Sequence, residues 1–193
     1  MKIAILGAGA GGCAAAVELT AAGHEVRLWA RRRSTIEPIM VDRIVRHKGV
    51  LGNGACTIAW AGDDLAQALN GSDGIMIVLP TMLHAQIGTD LAMLGWKGPI
   101  LLNPGHTGGG LALRQSYVLA GVAPPPLAEL STLTYVARKA DDGTVSVTGK
   151  AKQVRIASLC DPLKAGLNFG SSLFPSADRV ANVIATGLMN ANL

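Results

Sequence analysis

The sequence predicts an α/β fold, an open and doubly wound parallel sheet with a β-hairpin extension and the start of a further helical domain. Three observations predict it. An apolar strand, Ile3-Ala4-Ile5-Leu6, runs directly into a glycine cluster and then an Ala-rich stretch. A second apolar run, Gly74-Ile75-Met76-Ile77-Val78-Leu79, has the unbroken composition of a strand covered on both faces. Around these two, strand-like and helix-like patterns alternate, as parallel strands joined by right-handed crossovers require.

The elements follow in order. Gly7-Ala8-Gly9-Ala10-Gly11-Gly12 has the G-x-G-x-x-G spacing of a Rossmann-type dinucleotide turn. Gly7 permits the tight turn, Gly9 lets a pyrophosphate approach the chain, and Gly12 lets the following helix pack close to the strand. Ala8 and Ala10 contribute main-chain groups to the same cradle, and the helix N-terminus offers N–H donors to phosphate. Residues 13–22 read as that helix, and Glu25-Val26-Arg27-Leu28-Trp29 as the second strand. A short strand is expected to end at residues 58–60, with Asp63-Asp64 opening a helix through Leu69. The strand at 74–79 stops at Pro80-Thr81, a helix follows over about 82–94, a strand over 99–102, and a helix over 111–120. After Pro124-Pro125-Pro126 the pattern changes. Residues 132–138 and 144–147 read as strands around Asp141-Asp142-Gly143, a hairpin signal. Residues 154–157 read as a strand, Asp161 as the cap of a helix through Leu167, and Asp178 as the cap of a helix over 179–190. The domains expected are a dinucleotide-binding domain over 1–175 and the first helix of a helical domain over 176–193.

Composition narrows the function classes. At 193 residues the chain can bury a sizeable aliphatic core, with 4% aromatic residues and 24 glycines. The net charge of +4 is mild and gathers at Arg31-Arg32-Arg33, Arg43, Arg46 and Lys48. No aromatic interleaving or nucleic-acid module accompanies the cluster, so no nucleic-acid partner is expected. Cys13, Cys56 and Cys160 are odd in number and far apart. They suit neither a disulfide framework nor a metal site and suit a cytoplasmic location. No apolar run is long enough for a membrane span, so no membrane partner is expected. Lys2 followed by Ala10-Gly11-Gly12-Cys13 mimics a lipoprotein leader only superficially, because the segment already forms the strand–turn–helix unit.

Cofactor choice is read at the end of the second strand. NAD-specific sites place a carboxylate there for the ribose hydroxyl. This chain has Ala30 and then Arg31-Arg32-Arg33-Ser34. Arg31 and Arg32 suit a 2′-phosphate, with Ser34 or Thr35 as an added hydroxyl donor, which predicts NADP(H) with NAD(H) as the alternative. Two loops at strand ends are placed for chemistry, residues 79–84 and residues 102–110. The second is Leu102-Asn103-Pro104-Gly105-His106-Thr107-Gly108-Gly109-Gly110 and can meet a carboxylate, a phosphate or the nicotinamide amide.

Asn103-Pro104-Gly105-x-Thr107-Gly108-Gly109 resembles the octopine/nopaline (opine) dehydrogenase family. So does Glu129-Leu130-Ser131-Thr132-Leu133-Thr134-Tyr135-Val136-Ala137-Arg138, similar to that family's E-x-x-T-L-P-Y-x-x-R segment with Thr134 in place of proline. Residues 182–192, with Asn190 and Asn192, look like the first helix of the family's helical domain. The resemblance implies reductive condensation of an amino acid with a 2-oxo acid. It implies that Pro80, Thr81, Asn103 and Gly105 flank the nicotinamide end. The family's catalytic histidine lies beyond the segment matching Asn190 and Asn192. The chain is therefore expected to be the cofactor-binding part of such an enzyme, to bind cofactor and to turn over weakly.

Among the four histidines, His24 reads as a turn residue, His47 as part of a basic exposed helix end, and His84 as a cap or packing residue. His106 sits in the second loop, where the resemblance suggests contact with an acidic substrate or phosphate rather than proton transfer. No residue is assigned as the catalytic acid or base. Cys13 reads as buried against the strand. A homodimer through an exposed docking face is also expected. Two other readings stand beside the main one. One is an enzyme resembling ketopantoate reductase or glycerol-3-phosphate dehydrogenase. The other is a non-catalytic NADP(H)-binding module.

Overall fold

A computed structural model describes residues 1–105 and 108–188. In chain order the elements are β1 (Lys2–Leu6), α1 (Ala10–Ala21), β2 (Glu25–Trp29), α2 (Arg33–Met40), β3 (Ile44–Gly49), β4 (Gly54–Thr57), β5 (Trp60–Gly62), α3 (Leu65–Leu69) and β6 (Gly74–Ile77). A 3-10 turn (Thr81–Leu83) leads into α4 (His84–Met93), followed by β7 (Ile100–Leu102), α5 (Gly109–Leu119) and β8 (Leu127–Leu130). Then come β9 (Tyr135–Lys139), β10 (Val145–Lys150), β11 (Arg155–Leu159), α6 (Ala165–Leu173), β12 (Asp178–Arg179) and α7 (Val183–Leu188). The chain divides into two compact units, Met1–Val78 with Thr134–Ala151, and Leu79–Leu133 with Lys152–Leu193.

The first unit holds four parallel strands in the order β6-β1-β2-β5. Ile3 pairs with Val26 on one side and Gly74 on the other, and Leu28 pairs with Ala61. Ile3, Ala4, Ile5 and Leu6 are fully buried, as an apolar run in the middle of a parallel sheet should be. The short strand expected to end at residue 60 instead begins there. Trp60 pairs with Arg27, whose guanidinium lies 5.4 Å over the indole ring.

Helix α1 starts at Ala10, three residues before the expected start. Gly11 and Gly12 disfavour helix on their own, but packing prevails over propensity here. The helix has no amphipathic stripe, because Gly12, Cys13, Ala14, Ala15, Ala16, Val17 and Leu19 are all buried. The cause is a second, four-stranded sheet, β4-β3-β10-β9. Helix α1 packs on β1 and β2 and also on β3, β4, β9 and β10.

The hairpin forms as expected. β9 and β10 run antiparallel around a turn in which Gly143 has φ +85° and the Asp142 carboxylate accepts from the Thr144 N–H. β9 begins at Tyr135 rather than 132, and Ser131 before it donates its N–H to the Arg155 carbonyl. β10 also runs parallel to β3, with Val145 opposite His47. His47 thus lies in a strand, correcting the expected helix end. The strand buries Val45 and leaves its charged residues toward solvent, and its partner β10 lies far along the chain, so no local pattern marked it.

In the second unit β7 runs parallel to β8, β8 antiparallel to β11, and β11 parallel to β12. The antiparallel step departs from the all-parallel expectation. Helix α6 packs on β7, β8 and β11 and reaches Leu173 instead of ending at Leu167. Gly170 keeps the helix close to the sheet, since a Cβ there would lie 2.5 Å from Ile156 Cδ1. The Asp161 carboxylate accepts from the N–H groups of Ala165 and Gly166 at 3.0 and 2.7 Å, as a cap should. Asp178 caps nothing here. It pairs with Arg155 in β12, and Asn182 Oδ1 instead accepts from the Ala185 N–H at 3.0 Å, at the start of α7. The rest of the expected helix, with Asn190 and Asn192, lies outside the described residues. No helix among the described residues is long and apolar enough to cross a membrane.

Candidate functional site

In the first unit β1 delivers the chain into the glycine turn. Gly7 has φ +124°, open to glycine and strained for other residues, and its N–H donates to the Trp29 carbonyl at 2.9 Å. That bond sets the turn beside the end of β2. A Cβ on Gly12 would collide with the Gly7 carbonyl oxygen, whereas a Cβ on Gly9 would meet nothing within 4 Å. The two glycines thus differ: Gly12 is required by packing, whereas Gly9 faces open space above the chain. Ala8 is buried beneath the turn and Ala10 opens α1. No side chain caps α1, and its first turn holds no acidic residue. Its N–H groups and positive dipole end are thus available to an outside anion.

At the end of β2 the Ala30 N–H donates to the Gly62 carbonyl, and Arg31 and Arg32 follow, both exposed. Arg32 is the N-cap residue of α2, so Ser34 lies in the first turn of that helix rather than in a loop. Arg33 lies 3.8 Å from the Asp63 carboxylate, an exposed pair of small energetic weight. Residues 30–36 contain no carboxylate.

The hairpin adds a residue that the sequence reading passed over. Lys139, the last residue of β9, donates from Nζ to the Ala8 carbonyl at 3.0 Å and to the Thr35 carbonyl at 2.6 Å. The signal was there in the alternation. Tyr135, Ala137 and Lys139 face inward, while Arg138 of the quoted motif is exposed. The register is held by Tyr135, whose hydroxyl donates to Glu18 Oε2 at 2.7 Å, and by Lys150, which pairs with the other Glu18 oxygen. Below the turn, burial pushes the Cys13 thiol up to about 11, with the Lys139 ammonium pulling weakly the other way. Cys13 is a packing residue, as expected.

In the second unit Pro80 is exposed and Thr81 opens the 3-10 turn. His84 is fully buried, with Nε2 lying 3.1 Å from the Leu79 carbonyl and Nδ1 against Gly109. Its pKa is lowered by burial, which outweighs the main-chain contacts at Leu79 and Gly109. A buried ring bonded to Leu79 through Nε2, with Nδ1 packed on Gly109 and without a hydrogen-bond partner among the described residues, fits the expected packing role. Asn103 is buried at the end of β7, and its peptide bond to Pro104 is cis. The Gly105 N–H donates to the Leu130 carbonyl at 3.1 Å. His106 lies outside the described residues.

Glu129, at the end of β8, is almost completely buried, with Oε1 accepting from the Thr186 hydroxyl at 3.0 Å. Burial raises its pKa, and the bonds from Thr186 and the Gly110 main chain partly offset this. The first unit thus gathers Gly7, Ala8, Gly9, Ala10, Gly12, Arg31, Arg32 and Ser34. The second holds Pro80, Thr81, Asn103 and Gly105. Among the described residues no cluster of His, Cys, Asp and Glu could hold a metal ion.

A phosphorylated dinucleotide fits the first set. Gly9 leaves space over the chain, α1 presents an uncapped N-terminus, and arginines rather than carboxylates follow β2. Comparison with known proteins points to NAD(P) dependence. Residues 2–103 match the family described as NAD-dependent glycerol-3-phosphate dehydrogenase N-terminus. An opine dehydrogenase from Arthrobacter sp. (strain 1C) is 32% identical over 98% of this chain and 53% of its own length. An octopine dehydrogenase solved with NADH and L-arginine superposes with a TM-score of 0.77 at 18% identity, over 96% of this chain and 50% of that one. A yersinopine dehydrogenase with NADP+ bound gives 0.72 at 17% identity, over 96% and 48%. The chain thus spans about half the length of these relatives. It belongs to the family of NAD-dependent glycerol-3-phosphate dehydrogenase N-terminal domains, and its match along nearly the whole chain places it with the NAD(P)-binding N-terminal domain of the opine dehydrogenases.

Proposed function

We propose that this chain is the cofactor-binding part of an NADP(H)-dependent opine-type dehydrogenase, which joins an amino acid to a 2-oxo acid by reductive condensation. One observation supports this over the neighbouring readings. The similarity to opine dehydrogenase covers 98% of the chain at 32% identity, whereas a glycerol-3-phosphate dehydrogenase relative covers 77% of it at 30%. In this reading the glycine turn and α1 receive the pyrophosphate, and Arg31, Arg32 and Ser34 receive the 2′-phosphate. Pro80, Thr81, Asn103 and Gly105 flank the nicotinamide end. Bound NADPH would supply the hydride, while the protein supplies orientation and electrostatics.

Calorimetric titration with NADPH and with NADH tests the reading. The expected result is NADPH binding at least about tenfold tighter, with the preference lost in the Arg31→Ala/Arg32→Ala double variant. Equal affinity for the two cofactors would overturn the NADP(H) assignment, and no binding of either would overturn the cofactor role. A second reading, glycerol-3-phosphate dehydrogenase-like chemistry, draws on the match over residues 2–103. Binding of dihydroxyacetone phosphate to the NADPH-loaded chain, with none of a 2-oxo acid, would favour it.

A further inference from the structure

We propose that Lys139 is a positioning and specificity-determining residue for the phosphorylated adenosine end of the cofactor, acting through the main chain of the glycine turn and of α2. The inference rests on the NADP(H) reading above. It starts from the geometry of β9, an edge strand of the four-stranded sheet. Alternation puts Lys139 on the same inward side as Tyr135. The Tyr135 bond to Glu18 pins that side to α1, and a one-residue slip would turn Lys139 outward and Arg138 inward.

An ammonium group has three N–H donors. Two of them bond to main-chain carbonyls, of Ala8 in the glycine turn and of Thr35 in the first turn of α2. These two segments are the ones assigned to the pyrophosphate and the 2′-phosphate. Carbonyl oxygens leave the charge of the ammonium in place, and among the described residues no carboxylate is paired with it. Lys139 therefore does two things from one position. It fixes the spacing between the two phosphate-facing segments, and it adds a positive charge behind both. The 2′-phosphate carries negative charge that NADH lacks, so the charge favours NADPH over NADH.

The test compares the 193-residue chain with its Lys139→Met, Lys139→Gln and Lys139→Arg variants, titrated calorimetrically with NADPH, NADH and adenosine 2′,5′-bisphosphate. Lys139→Met should weaken NADPH and the bisphosphate by about tenfold or more and NADH by less than about threefold. Lys139→Arg, which keeps the charge, should retain most of the NADPH preference. Lys139→Gln keeps neutral donors for the carbonyls. It carries the test if the Met variant fails to fold, and it should also lose the NADPH preference. A merely structural role predicts equal weakening of both cofactors, and that result would overturn the proposal, as would unchanged binding in the Met and Gln variants. The wild-type titration separates the two levels of inference. Wild-type failure to bind, or to prefer NADPH, removes the cofactor reading itself, whereas wild-type preference that survives in the Met and Gln variants removes only Lys139.

Discussion

Gly9 and Gly12 are three residues apart, and the same substitution should affect them differently. Gly9→Ala adds a methyl group to empty space, so thermal unfolding should be unchanged while NADPH affinity falls at least about tenfold in calorimetry. Gly12→Ala drives a methyl group into the Gly7 carbonyl, so the chain should lose about 2–4 kcal/mol of stability in urea unfolding. Glu129 gives a pH-dependent outcome. Its folded pKa lies above the ordinary value of 4.5, so the folded state holds a proton that the unfolded state releases. Its contribution to stability is therefore greatest in acid and falls as pH rises from about 4.5 through the folded pKa. Glu129→Gln should flatten that part of the profile, read as melting temperature against pH. His84 works in the other direction, its lowered pKa favouring the fold as pH rises toward 6.5, and the two slopes are separated by making the variants singly. At this scale the glycines were legible because each answers a local geometric demand. Lys139 was harder to read, because its partners at residues 8 and 35 lie far away in sequence.

At the scale of single elements, α6 shows how a cap and a strained residue can sit side by side. Asp161 reaches three N–H groups at the helix start, and Asp161→Ala should cost about 1 kcal/mol in urea unfolding. Lys164 is the N-cap residue by position but holds φ +55°, a left-handed conformation without a side-chain cap bond. Lys164→Gly should therefore raise stability by up to about 1 kcal/mol, and a loss instead would mean that its side chain has a supporting role. Asp161 was readable as a cap from sequence, but the length of α6 was not. Gly166 and Gly170 look like breaks in a helix pattern and are in fact contact points with the sheet. Asp178 shows the converse error, because an Asp before an apolar run also suits a short strand, and only pairing with Arg155 decides.

For the molecule as a whole, cofactor binding should appear as stabilisation. At about 100 times the dissociation constant, a ligand that binds only the folded chain adds about 2.7 kcal/mol. For a chain of this size that corresponds to a rise in melting temperature of about 5–10 °C. NADPH should produce it at lower concentration than NADH, as followed by circular dichroism. In the first unit β1 and β6 were legible in sequence because each is an apolar run, and β2 because its apolar residues alternate, whereas β5 was misplaced. The four-stranded sheet was not legible, since β3 reads as a basic segment until β10 pairs with it.

That pairing bears on how the protein is made. The first unit is assembled from two separated stretches, and β10, β9 and Lys139 belong to the later one. On a ribosome adding about 5–20 residues per second, the glycine turn emerges early but its sheet cannot close until residue 151 has been synthesised, about 8–30 s after initiation. During that interval α1, which buries Gly12, Cys13, Ala14, Ala15, Ala16, Val17 and Leu19, lacks β9 and β10, which later cover part of it. The nascent chain is then most open to aggregation and to chaperone capture, and substitutions that weaken the hairpin should lower the yield of soluble protein more than they lower the stability of the finished fold.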